Sequence, residues 1–374
     1  MPPRLSLSLR FHHQKLYSST PQRLSVLHPR ATLFSAPRIQ FPRNQRDYQS
    51  TASRPSSTPQ IKMDPQQINQ NFQLANLFNV KDKGMKSPSD HKKYILIYKV
   101  ALITGGGSGI GLMATQALAV NGAKVYITGR TQEKLDKVAE LYGQNISGQI
   151  IPITSDITDK QSIDKLVKEI SSREKFLSIL INNAGISTGH QNTEHEDPHE
   201  LRKSLFEDES GDIAAWDDTF RTNVTQTFFV TSAFLPLLQK GSEQERGWSS
   251  TIINITSISG IVKVSQHHFA YNASKAAAIH LTKMLAHEVM TSKLRIRVNN
   301  IAPGVFPSEM TAGESDEKQK SSIPKEKYEG KTAARRPGKD EDMASTVLFV
   351  ATNQYLNGQT VAVDGGYVLT AGSL

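Results

Sequence analysis

An alternation that begins near residue 99 constrains this chain most. Short apolar, β-branched runs, KVALIT, AKVYIT, GQIIPIT, LSILINN, STIINIT, RIRVNNIA and QTVAVDGG, are separated by segments of helix length. As a set the runs lack the polar alternation of half-exposed strands and read as strands buried on both faces. A parallel sheet covered by helices on both sides provides that burial. The pattern predicts one doubly wound α/β domain with a seven-stranded parallel sheet and a single core over about 99–366. A helix is expected from Asp159, with Thr158 and Gln161 as a capping box ahead of IDKLVKEI. Two stretches interrupt the alternation. The polar, acidic 187–212 reads as a solvated surface loop, and the long charged 307–338 as a lid over a substrate.

The formal net charge of +9 would point to an anionic partner only if the folded body carried it. Residues 1–60 hold nine Lys or Arg against one acid, Asp47, so almost all of the charge sits there. The nearly neutral remainder argues against nucleic-acid binding. This N-terminal segment is rich in Ser, Pro, Arg and Gln and has no sustained apolar period, so a disordered tail is expected over 1–62. Its first part is Arg-rich, Ser-rich and free of acids, the composition of a mitochondrial targeting segment; an untargeted tail is the alternative, with the protein cytoplasmic, and Met63 could itself be a start. No run is long and apolar enough to span a bilayer. The chain has no cysteine, which removes disulfides, thiolate nucleophiles and Cys-ligated metals; its chemistry must use oxygen and nitrogen groups.

The turn TGGGSGIG joins the first run to a segment of helical period, LMATQALAV. Gly105, Gly109 and Gly111 let backbone approach a pyrophosphate, and the helix opening there offers unpaired N–H groups at its positive dipole end. This is the Rossmann-type order of strand, turn and helix, although Ile110 occupies the last glycine position of the common GxGxxG spacing. After the second run, Gly129 and Arg130 come with no acid until Glu133, which favours a 2′-phosphate and hence NADP(H) over NAD(H). A solvated first-turn cation is the plainer reading of Arg130. In YNASK, Tyr271 and Lys275 are four apart at helical period and share a face. A neighbouring ammonium lowers a phenol's pKa, so the pair can serve as a tuned acid and base, or be an ordinary surface pair. Ser257 ends a strand fourteen residues earlier, where its hydroxyl could orient a substrate oxygen; Ser259 and Thr256 are alternatives. The histidines of HEDPHE lie in an acidic loop without a second cluster, so no metal site is expected, and His267 and His268 read as rim residues.

Taken together, TGGGSGIG, NNAG (Asn182 to Gly185), TN (Thr222 and Asn223), ITSISG, YNASK, APG and VDGG resemble the motifs of the short-chain dehydrogenase/reductase family, in its order. The resemblance covers roughly 99–367. It implies a catalytic set of Asn223, Ser257, Tyr271 and Lys275, in which Asn223 anchors a water that links Lys275 to solvent. The cofactor-binding set it implies is Gly105, Ser108, Gly109, Ile110 and Gly111 in the turn, then Arg130, then Asp156 and Ile157 beside the adenine. Asn183, Ala184 and Gly185 follow on the nicotinamide ribose side, with Tyr271, Lys275, Pro303, Gly304 and Val305. APGVFPSEMT is most similar to bacterial and fungal 3-oxoacyl-thioester reductases, the rhamnolipid type included. A carbonyl or alcohol substrate and a homodimer or homotetramer are therefore expected. A non-catalytic dinucleotide-binding redox sensor and an NAD-dependent alcohol or sugar dehydrogenase are the alternatives.

Members of this family often run from a phrase such as LFNVKDK directly into the first strand. Here 84–98 are wedged between LFNVKDK and KVALIT, which reads as a local insertion, consistent with retained intron sequence, within a lead-in over 63–98. The alternative is that YILIY lengthens the first strand. Either way the cofactor-binding domain, 99–374, keeps its glycine turn.

Overall fold

The structure is a computed structural model and describes residues 64–73, 96–328, 330 and 332–372. The expected tail over 1–62 and residues 84–95 of the wedge lie outside them. A short helix, α1 (Pro65–Asn71), precedes β1 (Val100–Thr104), α2 (Gly109–Val120), β2 (Lys124–Gly129), α3 (Gln132–Tyr142) and β3 (Gln149–Thr154). The chain continues through α4 (Lys160–Arg173), β4 (Ile179–Asn182), α5 (Pro198–Phe206), α6 (Ile213–Phe220), a π-helical turn (Arg221–Thr225) and α7 (Gln226–Glu243). It ends with β5 (Ser250–Ile255), α8 (Phe269–Thr291), β6 (Ile296–Pro303), α9 (Glu309–Ala312), α10 (Asp340–Thr352), β7 (Thr360–Val363) and α11 (Tyr367–Ala371).

All seven strands pair in parallel in the order β3-β2-β1-β4-β5-β6-β7. Every residue of β1 is buried, as its apolar run demands, and its side chains alternate between two cores. Ala101 and Ile103 join Leu112, Met113 and Leu348 on one face; Val100 and Leu102 join Leu166, Phe234 and Val298 on the other. Each fully buried Leu or Ile contributes about 1.5–3 kcal/mol. The strand order reverses between β1 and β4, and the crevice outside their carboxyl ends is where a doubly wound sheet takes its ligand.

Local expectations needed adjustment in four places. The helix expected after Thr158 is capped one residue later: Asp159 accepts from the Gln161 and Ser162 amides, while the Thr158 amide and hydroxyl both donate to Asp156. The 187–212 stretch contains α5 and a 3₁₀ turn (Glu209–Gly211), because Asp197 and Pro198 start a helix in HEDPHE with the carboxylate accepting from the His199 amide. No residue of α5 is buried, which is why the stretch reads as a loop. Residues 96–98 form a turn and do not extend the first strand: Lys99 N donates to Leu96 O, and Tyr98 takes a φ of 67°. The fourth concerns 307–338, part of which lies against the helical layer and not over the sheet ends. Tyr142 Oη donates to Lys318 O at 2.7 Å, and Lys320 Nζ reaches Gln116 Oε1 and Asp340 Oδ2. That layer also receives α1, where Phe72 is fully buried and Asn69 donates to Tyr142 O at 3.0 Å.

Candidate active site

A cleft of about 570 Å³ opens at the switch point, walled by the glycine turn, the ends of β2, β3 and β4, and the start of α8. It is inside the size range of small-molecule and cofactor sites. The turn has left-handed backbone at Gly105 (φ 67°) and Gly109 (φ 52°), where glycine carries no steric penalty. A Cβ on Gly105 would also lie 2.9 Å from Asn183 Nδ2. Gly111 faces inward: a Cβ there would sit 2.0 Å from Gly105 O, so it packs the turn from behind and does not line the cleft. Gly111→Ala is therefore expected to spread the turn, costing about 1–3 kcal/mol of stability from overpacking and weakening dinucleotide binding at least tenfold. Thermal unfolding with and without nucleotide checks this; a variant that binds normally would refute the role.

The NNAG residues divide their work. Asn182 is internal and donates to Thr231 Oγ1 and Asn254 Oδ1, part of a buried polar chain across the sheet. Asn183 donates through Nδ2 to the carbonyls of Thr104 and Gly105, both at 3.0 Å, so it clamps the glycine turn as well as lining the cleft. Gly185 sits where a Cβ would come within 2.9 Å of Asn223 Oδ1 and 3.4 Å of Lys275 Nζ.

The π-helical turn explains how a mid-helix Asn is tolerated. Asn223 is buried there, accepts from the Ile186 amide at 2.9 Å, and donates to Ile186 O and Ser274 Oγ at 2.9 Å each. Ser274 Oγ in turn donates to Tyr271 O, which links the turn to the helix carrying Tyr271 and Lys275. These two residues project from α8 into the cleft, with Lys275 Nζ 5.5 Å from the Tyr271 ring centroid and 3.0 Å from Ile255 O. Ser257 lies just past β5, buried behind the cleft lining; it accepts from the Ser259 amide at 3.1 Å, and its hydroxyl is near enough to the Tyr271 phenol to favour the phenolate. The rival hydroxyls are engaged elsewhere: Thr256 donates to Asn300 Oδ1 and Ile301 O, and Ser259 to Gln266 Oε1.

Residues 99–319 match the short chain dehydrogenase family. The chain belongs to that family. It is 40% identical over 272 residues to the short-chain dehydrogenase/reductase PhomF of Diaporthe leptostromiformis, covering 71% of this chain and 90% of that protein. It is 32% identical to the rhamnolipids biosynthesis 3-oxoacyl-[acyl-carrier-protein] reductase of Pseudomonas aeruginosa, covering 75% of this chain and all of the relative. Among solved structures, the Pseudomonas aeruginosa RhlG/NADP active-site complex superposes with a TM-score of 0.59 at 29% identity, covering 73% of this chain and 97% of that one. This short-chain dehydrogenase is accordingly an NAD(P)-dependent oxidoreductase acting on CH–OH groups.

The cleft of this short-chain dehydrogenase fits a dinucleotide on its own features. No acid lies in the first turn of α2, and the side chain of its N-cap, Ser108, makes no capping bond, so the helix's amides face the cleft at its glycine cradle. Of the expected cofactor residues, Gly105, Ser108, Gly109, Ile110, Arg130, Asp156, Ile157, Asn183, Ala184, Gly185, Tyr271 and Lys275 line it. Pro303, Gly304 and Val305 do not. Pro303 pairs with Val363 across β6 and β7, a Cβ on Gly304 would come 2.7 Å from Asp364 Cα, and Val305 lines a separate cavity of about 140 Å³. Lys134 and Arg221 line the cleft but were not expected there, and Ser308, Glu309 and Met310, at the start of the 307–338 stretch, line it too. Their positions depend on how α3, the π-turn and α9 fold back, which no local motif encodes.

Electrostatics sharpen the pair on α8. Burial pushes Lys275 down to about 8. Burial also pushes the Tyr271 phenol up, and the Ser257 hydrogen bond only partly opposes it. The lowering expected from Lys275 does not prevail in this geometry, since desolvation of the phenolate outweighs an ammonium that is held on Ile255 O. Asp156 is held below the usual carboxylate range by the Thr158 amide and then its hydroxyl, with Arg130 adding to the effect.

Proposed function

We propose that this protein is an NADP(H)-dependent carbonyl reductase whose substrates are 3-oxoacyl thioesters. The observation that carries the chemistry is that Tyr271 and Lys275 line one end of a dinucleotide-sized cleft, with Ser257 beside the phenol and Asn223 bonded behind them. Bound nicotinamide would supply or accept the hydride. In the reductive direction, Ser257 orients the carbonyl oxygen, and Tyr271 donates its phenolic proton to that oxygen as negative charge develops. A phenol held above its ordinary value is protonated at neutral pH, the state a donor requires. Lys275 faces the phenolate that forms and holds the ribose hydroxyls, and Asn223 keeps the route from Lys275 to solvent in place. Arg130, exposed at the end of β2 with no acid beside it in sequence, takes the 2′-phosphate.

The substrate class rests on the similarity to the rhamnolipid-pathway reductase and on the APGVFPSEMT segment. We further propose a homo-oligomer, and a mitochondrial or cytoplasmic location according to whether the N-terminal segment is used for targeting. Among the described residues no helix is long and apolar enough to cross a membrane. The test is NADPH oxidation across a panel of 3-oxoacyl thioesters, cyclic ketones, diketones and sugars. The thioesters are expected to give the highest kcat/KM; a clear preference for another class would replace the substrate assignment and leave the carbonyl chemistry standing.

A further inference from the structure

An ion pair crosses the phosphate end of the cleft, and the catalytic reading makes no use of it. Lys134, in the first turn of α3, places Nζ 2.7 Å from Glu309 Oε1 at the start of α9. Ser315 Oγ donates to the same oxygen at 2.7 Å, and Ser108, the N-cap of α2, lines the cleft together with this carboxylate. Ser308 lies against the glycine cradle, since a Cβ on Gly109 would meet Ser308 Cβ at 2.8 Å. On the opposite side, Lys134 and Leu135 flank Gly107. A carboxylate therefore sits beside the glycine turn, in the cleft that Arg130 also lines, and it is held by a lysine four residues beyond Arg130.

We propose that Lys134 is a specificity-determining residue for the cofactor's 2′-phosphate and that Glu309 is its exchangeable counter-ion. Glu309 holds Lys134 until a 2′-phosphorylated dinucleotide takes it over. The proposal rests on the NADP(H) reading. Both partners are about a third to a half exposed, at 46% and 34%, so the pair is weak and cheap to break. A phosphate offers more charge and more acceptor oxygens than one carboxylate, and the flexible lysine stem can swing from one to the other. Glu309 left in place would repel the phosphate, so its side chain swings away as Lys134 is taken over.

The experiment is a fluorescence titration of the full chain with NADPH and with NADH, for the wild type, Lys134→Met, Glu309→Gln and the double variant. The wild type is expected to prefer NADPH. Lys134→Met should weaken NADPH about tenfold, the size of one charge-assisted contact, with NADH changed less than about twofold. Glu309→Gln should tighten NADPH a few-fold by removing the competing anion, and that gain should vanish in the double variant, because the two residues act through one contact. If Lys134→Met weakens both nucleotides equally, or Glu309→Gln does not tighten NADPH, the exchange is wrong while the NADP(H) reading survives. If the wild type prefers NADH, the cofactor reading fails and this proposal fails with it.

Discussion

Tyr271→Phe is expected to bind NADPH within about threefold of the wild type while its turnover falls by about 10²–10⁴, the contribution of a positioned general acid. At about 1.4 kcal/mol per decade the loss is roughly 3–5 kcal/mol of transition-state stabilisation. The substitution removes one oxygen from a ring that lines the cleft, and the oxygen's partner, Ser257, keeps its bond from the Ser259 amide. The fold should therefore be undisturbed, and the loss should appear in kcat and kcat/KM together. Stopped-flow turnover beside a nucleotide titration separates the two effects. A variant that retains more than about a tenth of wild-type turnover would leave the phenol without its assigned role.

Lys275→Met carries the second large effect, and its sign differs between activity and stability. Turnover should drop by about 10² or more, because the phenolate forming on Tyr271 loses its facing cation. Stability should hold or rise. Burial pulls the lysine from 10.5 to about 8, so keeping the ammonium inside the fold at pH 7 costs about 3 kcal/mol. Methionine removes that cost, offset in part because Ile255 O loses its donor. The sign follows from the lowered value: the folded state binds this proton less tightly than the unfolded state, so the wild type gains stability as pH rises from about 8 towards 10.5. The advantage of Lys275→Met should be greatest below about pH 8 and shrink above it. Urea unfolding at several pH values measures it. A variant that is inactive and also markedly less stable at pH 7 would mean that Lys275 is a structural residue.

How much of this was legible depended on whether the cause was local. The five central strands were, because a strand buried on both faces has to be apolar throughout, and VALIT and ILIN could hardly be anything else here; β3 and β7 are the sheet's edges and are mostly half-buried, so only their β-branched runs announced them. Tyr271 and Lys275 were placed correctly in one cleft because helical spacing alone puts i and i+4 on one face. The helix cap was misplaced by one residue because Thr158 and Asp159 are both good caps, and the choice fell to Asp156, which takes both of the Thr158 donors. Asn223 was named only through the resemblance, because its setting, a π-turn bonded to Ile186 and Ser274, is tertiary. The same reason hid the Lys134–Glu309 contact and removed Pro303, Gly304 and Val305 from the cleft: the chain after β6 turns towards β7 and 338 before α9 returns to the glycine turn. The raised phenol was missed because spacing shows a neighbouring charge and does not show desolvation.

Hydride transfer from a nicotinamide to a carbonyl carbon in the cleft is the step on which every residue role depends. NADPH dideuterated at C4 of the nicotinamide, incubated with the protein and a 3-oxoacyl thioester, tests it in one mass spectrum. The account predicts a 3-hydroxyacyl product carrying one deuterium on the carbinol carbon, and none formed by Tyr271→Phe above trace level. A hydroxyacyl product without the label, or NADPH bound with no product from any carbonyl in the panel, would contradict it.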